Sequence, residues 1–142
     1  MIGLIVTGHA QFASGLTSSL KLIAGEQEYY VPVDFDEETA KLEQDLQNAL
    51  QQLSGCEGIL ILSDLPGGSP FKTAVMVSVA MPNVKVIAGT NLPMLVEVAL
   101  ARKFMDDLTA LKEMALNTGR NNIIEWEMMD LNFGPADDEE GI

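Results

Sequence analysis

Four short runs of apolar and β-branched residues alternate with segments of helical periodicity, and this alternation constrains the fold more than any other feature of the chain. The runs are MIGLIVT (1–7), YYVPVDF (29–35), GILILS (58–63) and VKVIA (84–88). Parallel strands need long crossover connections, usually helices, and the intervals are long enough to supply them. We therefore expect an open three-layer α/β/α sandwich with a four-stranded parallel sheet in the order 2-1-3-4.

Helical segments fill the intervals between these runs. In the first interval, apolar residues recur at helical spacing from Phe12 to Ile23, and Gly25 supplies a stop. Further helices are predicted over 38–53, 69–80, 94–102 and 108–118. The helix over 69–80 is apolar nearly all round, which predicts that it is buried. Residues 122–129 alternate loosely and could form an extra strand.

Length, charge and cysteine content limit the class of protein. The 142 residues suit one domain, expected over 1–130, followed by a flexible acidic tail over 131–142. The formal net charge of -13 repels nucleic acid and anionic membrane surfaces, so neither is an expected partner. The chain has a single cysteine, Cys56, and opens without a basic segment ahead of an apolar stretch. Both features favour the cytoplasm.

The ends of strands one and three carry the residues that could do chemistry. In open α/β sheets, ligands bind beyond the carboxyl ends of the strands, where the strand order reverses. With the order 2-1-3-4, that point lies between Thr7-Gly8-His9 and the loop 63–69 (SDLPGGS). His9, the only histidine of the chain, should therefore lie close to Asp64.

This pairing suits phosphoryl transfer through histidine. A neutral imidazole can attack phosphorus with its unprotonated nitrogen, and Asp64 could hold the proton on the other nitrogen. Gly67, Gly68 and Ser69 lead into a helix N-terminus, whose backbone N–H groups and dipole favour an anion. The residues could equally have ordinary roles: Asp64 could cap a turn, the glycines could only shape a turn, and Thr7 could be a core residue at a strand end.

Three stretches in this order and spacing resemble one protein family. IVTGHAQFASGL, ILILSDLPGGSPF and IAGTNLPMLVEVAL are similar to the IIA components of the mannose–fructose–sorbose class of the bacterial sugar phosphotransferase system, and the similarity extends from Met1 to about Arg120. The resemblance implies a phosphotransferase with a phosphohistidine intermediate and no metal or cofactor. It places the phosphoryl group on His9, gives Asp64 the orienting role, and matches the family's phosphate loop to Gly67, Gly68, Ser69 and Pro70; we add Thr7 as a candidate phosphoryl ligand.

The resemblance also implies partners. The general histidine phosphocarrier protein would donate the phosphoryl group, a cognate IIB protein would receive it, and the membrane IIC and IID components would be reached only indirectly. The family forms homodimers in which a C-terminal strand packs on the partner's sheet edge. Leu65-Pro66 stands where some relatives carry an aromatic residue. The acidic ending lacks an obvious fused IIB domain, which suggests a stand-alone IIA protein, and the opening and ending are most like members linked to amino-sugar uptake, such as N-acetylgalactosamine.

Three other functions fit the same architecture. A phospho-signalling receiver domain would use Asp64 as the acceptor, but it needs acidic residues after strand one, where this chain has Thr7-Gly8-His9. A flavin-binding domain could hold phosphate with Gly67 to Ser69 and would be yellow. A Ser–His–Asp hydrolase would combine Ser69, His9 and Asp64, but the chain lacks a G-x-S-x-G elbow around Ser69.

Overall fold

The computed structural model describes residues 1–128, which form four strands and five helices in alternating order. The strands are β1 (Gly3–His9), β2 (Tyr30–Phe35), β3 (Ile59–Ser63) and β4 (Val84–Ile87). The helices are α1 (Phe12–Ala24), α2 (Thr39–Gln52), α3 (Ser69–Ser78), α4 (Leu92–Ala101) and α5 (Leu108–Asn121). Every predicted strand and helix up to residue 121 is present.

The sheet has the predicted topology. All neighbours are parallel, and the order is β2-β1-β3-β4. β1 and β3 are buried along almost their whole length, as expected of central strands covered on both faces. β2 is an edge strand, which explains how it accommodates Pro32, a residue without a backbone N–H for a ladder.

Two hydrophobic cores lie on opposite faces of the sheet. Helices α1, α4 and α5 cover one face, where they pack against Leu4, Val6, Leu60 and Leu62. Helices α2 and α3 cover the other face, whose buried residues include Ile5 and residues 59 and 61. Successive strand residues point to opposite faces, so the alternation of these positions produces the three layers.

The prediction that α3 is buried all round is wrong. Its buried positions, Pro70, Thr73, Ala74 and Ser78, lie on one face. Val75 and Met76 are exposed on the other, at 38% and 55%. The helix has only one neighbouring layer, so one stripe of small residues packs inward and the remaining apolar side chains face outward.

The extra strand predicted over 122–129 is not formed in the part that the structure describes. Residues 122–128 contain no β-strand and are exposed, including Ile123 at 79% and Ile124 at 83%. Met129 and the predicted acidic tail lie outside the described residues.

A buried arginine links three segments of the chain at the end of the sheet opposite the carboxyl ends of the strands. Arg102, just after α4, is 1% exposed. Its guanidinium donates hydrogen bonds to the carbonyl oxygens of Ile2, Glu28 and Tyr29 and to Oε1 of Gln27. One side chain thereby joins the end of α4, the start of β1 and the connection between α1 and β2.

Candidate functional site

β1 extends two residues beyond its pairing with β3, and this places His9 at the carboxyl end of the sheet. β1 pairs with β2 up to His9 and Phe35, whereas its pairing with β3 ends two residues earlier, at Thr7 and Ser63. The chain leaves β3 after Ser63, and the Asp64 side chain reaches across to the end of β1. His9 is therefore held between the last residue of β2 and the first residue after β3.

His9 and Asp64 form a close pair. Oδ2 of Asp64 accepts a hydrogen bond from the His9 backbone N–H at 2.8 Å and lies 2.7 Å from His9 Nδ1. The Asp64 side chain is 14% exposed, whereas the His9 side chain is 46% exposed. The histidine is thus fixed at one ring nitrogen, and about half of its side chain is open to solvent.

The environment of Asp64 favours its ionised form. Burial raises the pKa of the carboxyl, but hydrogen bonds from the backbone N–H and ring of His9 and from the backbone N–H of Leu65 outweigh it, so the pKa lies below its ordinary value. An ionised carboxylate can only accept hydrogen bonds. The proton of the neutral His9 ring therefore lies on Nδ1, and Nε2 carries the free electron pair.

The glycine loop brings a helix N-terminus against the ring. Gly67 has φ +81, a conformation that favours glycine, and Gly68 is the residue before α3. A Cβ atom added at Gly68 would lie 2.9 Å from His9 Cε1. Cε1 lies between Nδ1 and Nε2, so the start of α3 lies beside the nitrogen-bearing side of the ring. Its unpaired N–H groups and positive dipole end suit an anion there.

Ser69 is the first residue of α3, and Gly68 before it is the cap, with no capping side chain. Thr7 is fully buried, and its hydroxyl has no hydrogen-bond partner among residues 1–128. Ser69 is partly buried at the entrance of the loop, whereas Thr7 lies below the surface in β1.

Sequence reasoning missed Phe35 and Ala10. The Phe35 ring packs edge-to-face against the His9 ring, with centroids 5.6 Å apart and planes at 73°. Its carbonyl oxygen accepts a hydrogen bond from the backbone N–H of Ala10 at 2.6 Å. Ala10 has φ +50, which is uncommon for a residue other than glycine. The phenylalanine at the carboxyl end of β2 could have been found from the 2-1-3-4 order, which places it beside His9.

A cavity of about 380 Å³ opens at His9 and is lined by Ala10, Phe35, Asp36 and Glu37. The His9 ring itself forms part of the wall of this cavity. Within residues 1–128, no group of three His, Cys, Asp or Glu side chains is arranged to hold a metal ion. Over the same residues, no helix combines the length and apolar character needed to cross a membrane.

Comparisons with known proteins agree with this fold. The family described as "PTS system fructose IIA component" matches residues 3–116. The mannose-specific EIIAB component of Escherichia coli (strain K12) is 34% identical over 124 residues, which cover 86% of this chain and 38% of that protein. The chain therefore spans less than half the length of that relative.

Two smaller relatives match over most of their length. The fructose-specific EIIA component of Bacillus subtilis (strain 168) is 31% identical over 119 residues, which cover 82% of this chain and 79% of that protein. The crystal structure of phosphotransferase system component EIIA from Streptococcus agalactiae superposes with a TM-score of 0.80 at 33% identity, covering 88% of this chain and 97% of that one. The chain belongs to the IIA components of the mannose–fructose–sorbose class of the sugar phosphotransferase system.

Proposed function

We propose that this protein is a phosphoryl carrier that accepts a phosphoryl group on Nε2 of His9 and passes it on during sugar uptake. The observation that carries the proposal is the 2.7 Å contact between His9 Nδ1 and Asp64 Oδ2, which leaves Nε2 free on a half-exposed ring beside the start of α3. A nucleophile, a group that orients it and a site for an anion thus occur together.

The step exchanges one phosphorus–nitrogen bond for another. The electron pair of Nε2 attacks phosphorus, the bond from phosphorus to the donor's histidine nitrogen breaks, and its electrons return to the donor ring. His9 keeps its proton on Nδ1, so positive charge grows on the ring as the new bond forms. The Asp64 carboxylate stabilises that charge and holds the tautomer, and no metal ion takes part.

The loop before α3 would bind the phosphoryl oxygens. We assign this role to the loop Gly67-Gly68-Ser69, with the backbone N–H groups of Gly67 and Ser69 as donors, since the Gly68 N–H donates to the Leu65 carbonyl oxygen. Gly68 contributes by lacking a Cβ, which lets the backbone approach the ring closely. The Ser69 hydroxyl can add a donor from the first turn of the helix. Thr7, being fully buried, would contribute only after its hydroxyl becomes accessible from the site.

The partners are other proteins of the same relay. We propose that the general histidine phosphocarrier protein donates the phosphoryl group and that a cognate IIB protein accepts it, with the sugar phosphorylated at a later step. The class of sugar would be an amino sugar such as N-acetylgalactosamine, taken up through membrane IIC and IID components that this protein does not touch. We propose that these reactions take place in the cytoplasm.

The protein would act as a homodimer. β4 is an edge strand of the sheet, and an open edge favours pairing with another chain. Ile123, Ile124 and Trp126 are 79%, 83% and 61% exposed, an unfavourable arrangement for apolar side chains in a monomer. Packing residues 123–128 on the partner's sheet edge would cover both surfaces. Light scattering should give a dimer for the wild type and a monomer for Trp126→Asp, while Phe104→Asp, at a 93% exposed site outside this segment, should stay dimeric.

The decisive test of the carrier role uses purified proteins. The wild type is incubated with phosphoenolpyruvate and the general phosphotransferase proteins, and phosphorylation is followed by intact mass. We expect one added phosphoryl group that is labile in acid and stable in alkali, as a phosphoramidate is, and none on His9→Ala. Phosphorylation of His9→Ala, or none of the wild type under conditions where an established IIA protein is labelled, would rule the proposal out.

A further inference from the structure

The side chain of Phe35 takes no direct part in the phosphoryl transfer step, yet it is the aromatic neighbour of the reacting His9 ring. Its ring lies 5.6 Å from the His9 ring, edge-to-face at 73°. Phe35 is half-buried at the last position of β2 and packs against the core formed with α2 and α3. It is therefore anchored from below while its exposed part meets the imidazole.

The backbone and the side chain of Phe35 make separate contacts with the histidine turn. The carbonyl oxygen accepts from Ala10 N–H at 2.6 Å, and residues 9 and 35 are paired at the end of the β1–β2 ladder. These backbone contacts fix the path of the chain through Ala10, whose φ of +50 needs such support. They leave the His9 side-chain torsions free, so the ring contact supplies a restraint that the backbone does not.

Asp64 alone holds the imidazole at a single point. One hydrogen bond at Nδ1 permits the ring to swing about that contact, and 46% of the His9 side chain is open to solvent. The start of α3 limits motion near Cε1, since even an added Cβ at Gly68 would lie within 2.9 Å. The Phe35 ring adds a further restraint. Among residues 1–128, it is the aromatic side chain in ring contact with His9.

We infer that Phe35 is a positioning residue for phosphoryl transfer: its ring holds the His9 imidazole in the orientation that keeps Nδ1 on Asp64 and leaves Nε2 free for attack. This inference rests on the proposed carrier function of His9. The Phe35 ring also covers one side of the imidazole, which limits the access of water there.

The test compares Phe35→Ala and Phe35→Leu with Phe35→Tyr, which keeps the ring. Val31→Ala is the matched control, because Val31 also lies on β2 and packs on the same core but does not touch His9. The first measurement is the ¹⁵N NMR spectrum of the His9 ring without phosphorylation. We expect one tautomer, protonated at Nδ1, in the wild type, Phe35→Tyr and Val31→Ala, and an averaged spectrum in Phe35→Ala and Phe35→Leu.

The second measurement is the rate of phosphoryl transfer from the phosphocarrier protein. Loss of an aromatic pair of this kind should lower the transfer rate by about threefold to tenfold in Phe35→Ala and Phe35→Leu, whereas Phe35→Tyr should keep the wild-type rate. A wild-type spectrum and rate in folded Phe35→Ala overturn the inference; if that variant does not fold, the same result in Phe35→Leu does. A rate loss shared by Val31→Ala also overturns it, since the cause would then be general loss of packing. Failure of the proposed carrier function can be distinguished from failure of this inference. In that case the wild type would take up no phosphoryl group, but its His9 ring spectrum could still be compared with those of the variants.

Discussion

Replacing Gly68 by alanine should slow phosphoryl transfer while leaving the fold intact. The new Cβ would lie 2.9 Å from His9 Cε1 and 3.2 Å from the Leu65 carbonyl oxygen. Contacts below 3.4 Å are tighter than nearly all real Cβ contacts, so the ring has to move by about 0.5 Å (3.4 minus 2.9). His9 gives way more easily than the backbone at Leu65, because it is a side chain that is half exposed.

The effect on rate follows from that displacement. A misplacement of about 1 Å at a reacting group can cost about a hundredfold in rate, so 0.5 Å corresponds to about tenfold. Stability should change little. Gly68 has φ -73 and ψ 167, which alanine adopts without strain. Alanine is a poorer N-cap than glycine, but it also lowers the entropy of the unfolded chain, and these terms offset each other to within about 1 kcal/mol.

The assay measures both quantities in the same variants. Rapid-quench labelling gives the rate of transfer from the phosphocarrier protein, and urea unfolding gives the free energy of unfolding. Gly55→Ala is the control, since its added Cβ would meet no atom within 4 Å. A Gly68→Ala protein that transfers within twofold of the wild-type rate would refute the placement of the loop against His9, and a loss of stability above about 3 kcal/mol would show that the change disrupts more than the ring.

Three further predictions concern Asp64 and Arg102. Asp64→Asn should fold but transfer the phosphoryl group at least tenfold more slowly, because an amide can stabilise the wrong tautomer of His9. The loss should be smaller than the roughly 10⁴-fold loss for the orienting aspartate of a serine protease. Unchanged transfer kinetics would mean that Asp64 only shapes the turn. Because the folded pKa of Asp64 is lowered, the stability that its charge contributes is present above the unfolded pKa of about 3.9 and is lost as pH falls through the folded value. The difference in unfolding free energy between wild type and Asp64→Asn should therefore shrink below about pH 4 in urea titrations, and a difference that grows there would contradict the lowered pKa. Arg102→Met should lower the free energy of unfolding by about 3–5 kcal/mol, because buried carbonyl groups lose a charged donor. The control Lys103→Met, at the exposed neighbouring position, should change it by less than about 0.5 kcal/mol. A loss below about 1 kcal/mol in Arg102→Met would contradict the proposed role of this hydrogen-bond network.

The sheet and its order could be predicted because the deciding signals are local. Each strand is a short apolar run, each crossover has helical spacing, and parallel strands joined by helices leave few topologies. The same reasoning brought His9 and Asp64 together, since they lie at the carboxyl ends of the neighbouring central strands β1 and β3. Their 2.7 Å contact needed only that the order be right.

The errors arose where neighbours in space, rather than in sequence, decide the outcome. The apolar sequence of α3 does not indicate that only one side of the helix packs against the sheet, so Met76 was expected to be buried. The apolar character of residues 122–128 suggested a strand, but a strand needs a partner, and in the described chain these residues pair with neither edge strand of the sheet. Phe35 was missed because its contact with His9 joins side chains 26 positions apart on different strands (35 minus 9).

The measurement that tests the account most directly is the position of the phosphoryl group on the histidine ring. The ¹⁵N-labelled protein is phosphorylated through the general phosphotransferase proteins, and ³¹P–¹⁵N couplings identify the bonded nitrogen. Because Asp64 Oδ2 lies 2.7 Å from Nδ1, we predict that the phosphoryl group is on Nε2 of His9 and that Nδ1 keeps its proton. A phosphoryl group on Nδ1, or on any residue other than His9, would contradict the account.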